Sequence, residues 1–85
     1  MREQVIVVYG TKWCRDCRLA KQVLDDRHVD YRWIDVDDDP TAQAEVLRLN
    51  GGMRSVPTII FPDGAVLVEP TAHQIITQID KLLLI

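Results

Sequence analysis

Apolar positions along this chain alternate between strand-like and helix-like spacing. Val5-Ile6-Val7-Val8-Tyr9 is a continuous run, closed by Gly10-Thr11. Such a run predicts a strand buried on both faces, and therefore a central one. From Arg15 to Arg27 the spacing becomes helical. Leu19 with Val23 and Ala20 with Leu24 form i,i+4 pairs on one side, leaving Arg18, Lys21 and Arg27 to solvent. Asp25-Asp26-Arg27-His28 ends this helix without a glycine. Val29 to Val36 alternates in part, with Tyr31, Trp33, Ile34 and Val36 as β-formers, and predicts a second, more exposed strand. Asp39 and Pro40 form a helix start, N-cap followed by proline at the first helical position. That helix is expected to run to about Leu49, with Ala42, Val46, Leu47 and Leu49 as packing candidates and Asn50-Gly51-Gly52 as its stop. Thr58 to Phe61 predicts a third strand, Pro62-Asp63-Gly64 a hairpin turn and Ala65 to Val68 a fourth strand. Thr71 and Gln74 make a capping box. Behind them Ile75, Ile79, Leu82 and Leu83 mark the apolar stripe of a last helix.

The predicted order is β-α-β-α-β-β-α. The first two strands call for a right-handed parallel crossover, and the last two for a hairpin. The result is an α/β fold: a four-stranded mixed sheet flanked by three helices on both faces. No linker, repeat or low-complexity tract divides the chain, so residues 1–85 are read as one domain. An apolar content of 47% with 27% charged residues excludes a disordered chain. The N-terminal apolar run is too short for a secretory core, and no run reaches the roughly 20 residues that a spanning helix needs. These features place the chain in the cytoplasm, without a membrane role.

Charge changes the picture locally. The net charge of −3 hides a segment from Lys12 to Lys21 with four bases and one acid, followed by Asp25 to Asp39 with seven acids and two bases. An acidic protein without a spread basic face excludes nucleic acid as a partner. The basic segment surrounds the only two cysteines, Cys14 and Cys17.

A Cys-x-x-Cys pair between a strand and a helix predicts thiol–disulfide chemistry. As a structural bridge it would close a tiny loop and stabilise little. A helix start offers free N–H groups and a positive dipole end to a thiolate. Cys14, at or before the first turn, is thus expected to be the exposed nucleophile of lower pKa, and Cys17, inside the turn, the resolving thiol. Lys12 and Arg15 add positive charge beside Cys14, and Asp16 opposes them. Two cysteines also make half a tetrahedral zinc site, with His28, His73 or a second chain's cysteines as the other half. A dimer-bridged iron–sulfur cluster is a further alternative. No metal and no bound prosthetic group is expected in the leading reading. In the segment before the third strand, Val56-Pro57 is a candidate cis bond. Such a bond would leave the Val56 backbone free to pair with an extended ligand.

Tyr9-Gly10-Thr11-Lys12-Trp13-Cys14 with Cys17, then Ser55-Val56-Pro57-Thr58, then Asp63-Gly64, together resemble the glutaredoxin family. The segment Asn50-Gly51-Gly52-Met53-Arg54-Ser55-Val56-Pro57-Thr58, with Phe61 and Pro70 after it, resembles the mycoredoxin branch. The resemblance covers essentially the whole chain. It implies a thioredoxin-like (glutaredoxin) fold, a cis Pro57 and reduction of mixed disulfides between proteins and a low-molecular-weight thiol, mycothiol or glutathione. It also implies Cys14 as attacking sulfur and a thiol groove lined by Lys12, Trp13 and the Val56 backbone. A thioredoxin or mycothione reductase would supply electrons, and the protein would act as a monomer. An in-class alternative is a thioredoxin-reductase-dependent hydrogen donor for ribonucleotide reductase. Three positions depart from the pattern. Arg15-Asp16 stand where the family carries Pro-Tyr or Gly-Tyr. Glu69-Pro70-Thr71-Ala72 stand where glutaredoxins use a glycine pair and an aspartate for glutathione. Val8 replaces the buried aspartate that thioredoxins place six residues before the first cysteine.

Overall fold

The computed structural model describes residues 5–83, with the Leu83 side chain outside the description. The elements are β1 (Ile6–Gly10), α1 (Arg15–Asp26), β2 (Tyr31–Asp35), α2 (Pro40–Leu49), β3 (Thr58–Ile60), β4 (Val66–Val68) and α3 (Ala72–Leu83). The sheet order is β2-β1-β3-β4, so the apolar run lies centrally, as its composition requires. β1 pairs parallel with β2, bringing Val8 opposite Trp33 and Gly10 opposite Asp35. It pairs antiparallel with β3, bringing Val8 opposite Ile59. β3 and β4 form the hairpin. Among the described residues no helix is long and apolar enough to cross a membrane.

Two apolar clusters hold the layers together. On one face Ile6, Val8 and Ile59 pack with Ala20, Val23 and Leu24 of α1 and Ile75 and Ile79 of α3. On the other face Val36, Ala42 and Val46 form a smaller cluster with Tyr9, Ile34 and Val56 against it. β1 accordingly alternates buried and half-buried positions. The expectation of a strand buried on both faces is corrected: Val7 and Tyr9 are only half-buried, because the cluster on their face has just three buried residues.

Two helix faces are rotated from expectation. Leu19 is 49% exposed, and the buried stripe of α1 is Cys17, Ala20, Val23 and Leu24. The first cysteine-bearing turn thus enters the core in place of Leu19. In α2, Ala42 and Val46 are buried while Leu47 is exposed. The caps match expectation. The Asp39 carboxylate accepts from the Ala42 N–H at 3.1 Å. Thr71 and Gln74 exchange hydrogen bonds at 2.8 and 3.1 Å. Of the α3 stripe, Ile75 and Ile79 are buried and Leu82 packs against the core.

The missing glycine after α1 is resolved by His28, which takes a left-handed φ of 58°. Its N–H donates to the Asp25 carbonyl at 3.0 Å and the Val29 N–H to the Leu24 carbonyl at 3.3 Å. This is a Schellman stop with a side chain where glycine is usual. A left-handed residue with a Cβ costs about 1–2 kcal/mol. His28→Gly is therefore expected to stabilise the fold by about 1 kcal/mol, read as a higher denaturant midpoint at unchanged m-value.

Candidate active site

β1 delivers the chain to the cysteines, and α1 begins on the first of them. Cys14 is the N-cap of α1, in extended conformation at φ −84° and ψ 116°. Its Sγ accepts the Cys17 N–H at 3.0 Å, the place a serine or aspartate oxygen would fill. The positive end of the helix dipole meets this sulfur. Cys14 is half-buried, and both cysteines are free thiols.

Cys17 lies one turn in and is fully buried. Burial pushes its thiol pKa up to about 12, helped by the hydrogen bond with Cys14 and opposed by the Thr11 backbone. Its surroundings are unusually tight. A Cβ added to Gly10 would lie 2.5 Å from Trp33 Cη2 and 2.8 Å from both Trp33 Cζ3 and Cys17 Sγ. Lys21, one turn further along α1, places its Nζ 4.3 Å from the centre of the Trp33 ring. Lys21 is thus engaged with the aromatic ring, which corrects its assignment to open solvent.

The raised Cys17 pKa has a consequence for stability. The folded thiol holds its proton to about pH 12, whereas the ordinary thiol value is 9.0. The stabilisation from burying the neutral thiol is complete below the unfolded value and is lost as pH rises toward the folded one. The stability of reduced protein is expected to fall relative to a Cys17→Ala variant as pH goes from 9 to 11. The slope can reach about 1.4 kcal/mol per pH unit, and denaturant unfolding at each pH measures it.

The segment before β3 comes up to Cys14. The Val56–Pro57 bond is cis, and Cys14 Sγ stands 3.9 Å from the Val56 carbonyl oxygen. Pro57 is buried, and its carbonyl accepts the Glu69 N–H at 2.8 Å. The buried Thr58 hydroxyl donates to the Ser55 carbonyl at 2.7 Å and accepts from Asn50 Nδ2 at 3.1 Å. The helix stop after α2 is thereby tied to the turn that presents Val56.

Charges at the rim are matched. Lys12 Nζ lies 3.8 Å from Asp38 Oδ2, both well exposed, and Arg54 pairs with Asp37. One acidic turn, between β2 and α2, therefore answers a base from each of the two segments. Arg15 and Asp16 are exposed and take no ion pair among the described residues. Trp13 is 85% exposed. Among the described residues no three histidine, cysteine, aspartate or glutamate side chains converge to hold a metal. His28 ends α1, and His73 is exposed on α3.

The glutaredoxin family model matches residues 6–66, from β1 through the first residue of β4. The chain belongs to the glutaredoxin family. As a glutaredoxin it is a thiol–disulfide oxidoreductase with low-molecular-weight thiols and disulfide-bearing proteins as partners. Its curated relatives include mycoredoxin 1 of Corynebacterium glutamicum, 38% identical over 77 residues, covering 91% of this chain and 95% of the relative. A glutaredoxin of Pseudomonas aeruginosa is 41% identical over 54 residues, covering 64% of this chain and 63% of that protein. Among solved structures, the thioredoxin-like protein BC3987 superposes with a TM-score of 0.75 at 28% identity, covering 85% of this chain and 96% of that one. The glutaredoxin of Archaeoglobus fulgidus, at 19% identity and a TM-score of 0.68, shares the fold.

Of the residues expected from the sequence, Val56 and Pro57 come up to Cys14 across the fold, and Lys12, Trp13 and Arg15 are exposed beside it along the chain. Four neighbours of these residues were not expected: Gly10 and Trp33 against Cys17, and the two acids Asp37 and Asp38. Gly10 carried a usable signal, since a glycine closing a buried strand marks a close approach. The acids carried none, because their partners lie far along the chain.

Proposed function

We propose that residues 1–85 act as one cytoplasmic, monomeric domain that reduces mixed disulfides between proteins and a low-molecular-weight thiol. The observation that carries this reading is the position of Cys14 Sγ, half-exposed, capped by the Cys17 N–H and facing the Val56 carbonyl. The Cys14 thiolate attacks one sulfur of the substrate disulfide. The other sulfur leaves with the bonding electron pair and takes up a proton. The mixed disulfide on Cys14 is then opened either by Cys17 or by a second thiol from solution. The Val56 backbone pairs with the extended ligand, and Pro57 fixes the turn that presents it. Arg15 supplies positive charge beside the reacting sulfurs, while Lys12 shares its charge with Asp38. Trp13 offers an exposed indole that a bound thiol can cover. No prosthetic group is needed, since the electrons come from the thiol and ultimately from a reductase of the mycothione or thioredoxin type.

For the thiol itself we favour mycothiol. Glutathione carries net negative charge and mycothiol does not. The rim bases Lys12 and Arg54 already face Asp38 and Asp37, which weakens the groove's attraction for an anion. The likeness to mycoredoxin 1 supports the same choice. The test is an assay of Cys17→Ser protein on protein mixed disulfides of mycothiol and of glutathione, each with its own thiol as reductant. Turnover with mycothiol exceeding that with glutathione by tenfold or more is the expected result. Preference for glutathione overturns the choice of thiol. Turnover with neither, in a wild-type protein reduced efficiently by thioredoxin reductase, favours the ribonucleotide-reductase donor. A brown protein with visible absorbance on anaerobic purification favours the cluster-binding alternative.

A further inference from the structure

Cys17 is more tightly enclosed than a helix position alone would make it, and the enclosure has an identifiable architecture. Trp33 lies on β2 opposite Val8 of β1, so it stands on the face of the sheet that α1 covers. Its ring edge reaches diagonally over Gly10 to the same point as Cys17 Sγ. Any side chain at position 10 would occupy that point, so Gly10 admits the ring. Lys21, four residues beyond Cys17 on the same helix, lies over the ring face. A cation over an indole face is attracted by the ring's π electrons. The ring is therefore held from two sides, with Cys17 at its edge.

We propose that Trp33 is a positioning residue for the second thiol, keeping Cys17 dry so that a mixed disulfide on Cys14 is opened mainly by a thiol from solution. The inference rests on the reading of Cys14 as the sulfur that carries the mixed disulfide. In the internal route, Cys17 gives up its proton to solvent and its thiolate attacks Cys14 Sγ. The bond from Cys14 to the ligand sulfur breaks, and the ligand leaves as a thiolate. The cysteine pair is oxidised by two electrons and the ligand sulfur is reduced. The attack requires charge on Cys17 Sγ, which has no access to water. In the external route, a dissolved thiolate attacks the ligand sulfur, which forms a small disulfide and returns Cys14 as thiolate. That route needs nothing from Cys17. Opening the Trp33 side admits water to Cys17 and favours the internal route.

The test uses Cys14→Ser protein, in which Cys17 is the only thiol, and follows its alkylation by iodoacetamide from pH 7 to 11. Adding Trp33→Ala is expected to speed alkylation at pH 9 by about tenfold or more, since each unit off a thiol pKa gives tenfold more thiolate. Lys21→Ala is expected to give a smaller increase, about threefold, by releasing the ring face. Trp33→Phe retains a strand-forming aromatic but not the reach over Gly10, so it serves if the alanine variant does not fold, with about threefold expected. Folded Trp33 variants whose alkylation stays within twofold of the parent overturn the proposal. So does alkylation that accelerates with subdenaturing urea in step with global unfolding, because the ring would then be only a stabilising contact. A second readout keeps both cysteines and adds one equivalent of disulfide. By mass, Trp33→Ala is expected to shift the product from mixed disulfide toward the internal disulfide, and an unchanged ratio overturns the proposal. Alkylation of Cys17 needs no turnover, so its failure is separate from failure of the oxidoreductase reading.

Discussion

Cys14→Ser is expected to lower kcat/KM for disulfide reduction by at least about 10³-fold, which corresponds to roughly 4 kcal/mol of lost transition-state stabilisation. The reason lies in the other sulfur. Cys17 cannot substitute, because it is fully buried and holds its proton to about pH 12. At pH 7 Cys17 is almost entirely protonated, and it has no exposed surface. A serine oxygen at position 14 could still accept the Cys17 N–H, as serine caps do. The helix start should therefore persist, and the loss is chemical. Unchanged circular dichroism alongside lost turnover checks this. Substantial residual activity in Cys14→Ser would mean that the two sulfurs are more nearly equivalent than their environments allow.

The largest structural effect is expected from Gly10→Ala. The added methyl carbon would stand 2.5 Å from Trp33 and 2.8 Å from Cys17 Sγ, well inside the roughly 3.5–4.0 Å at which carbon atoms rest. Neither neighbour moves freely. Trp33 is held under Lys21, and Cys17 belongs to the first turn of α1, whose next residues are packed in the core. Overpacking of this kind costs about 1–3 kcal/mol. In a domain of this size each kcal/mol lowers Tm by about 4–8 °C. Trp33→Phe withdraws the ring edge and is expected to restore part of the loss in the double variant. The Cys17 contact remains, so the rescue should be incomplete. Thermal unfolding of the two single variants and the double variant measures the coupling. Strictly additive effects would mean that position 10 and the ring do not share the space assigned to them.

Much of the architecture was legible because its determinants are local. Asp39-Pro40, Asn50-Gly51-Gly52, Pro62-Asp63-Gly64 and Thr71 with Gln74 each encode an element boundary within a few residues, and each functions there as the local chemistry requires. The order of elements follows, and with it the placement of Cys14 at a helix start. Errors arose where tertiary packing decides between equivalent local options. Leu19 and Cys17, two residues apart, lie on opposite faces of the helix, and either could have pointed inward. Only the approach of β1 and β2 turns Cys17 inward and leaves Leu19 outside. Val5 to Tyr9 could have been sealed on both faces, but the small cluster on the α2 side leaves one of them half-buried. His28 shows a third kind of miss. A left-handed helix stop favours glycine, and the chain accepts a side chain there because the two capping hydrogen bonds and the Val29 contact hold the turn. The pairing of Lys12 and Arg54 with one acidic turn was invisible for a different reason. Surface ion pairs between distant segments leave no periodic trace, and isolated ones add little to stability.

The central claim is that Cys14 is the sulfur through which this glutaredoxin exchanges disulfides, with Cys17 held behind it. The most direct measurement is mass spectrometry of reduced Cys17→Ser protein after incubation with one equivalent of a low-molecular-weight disulfide, followed by peptide mapping. The expected product is a single mixed disulfide, located on Cys14, which is released when the matching thiol is added. Protein that remains unmodified under conditions where a free cysteine peptide reacts would contradict it.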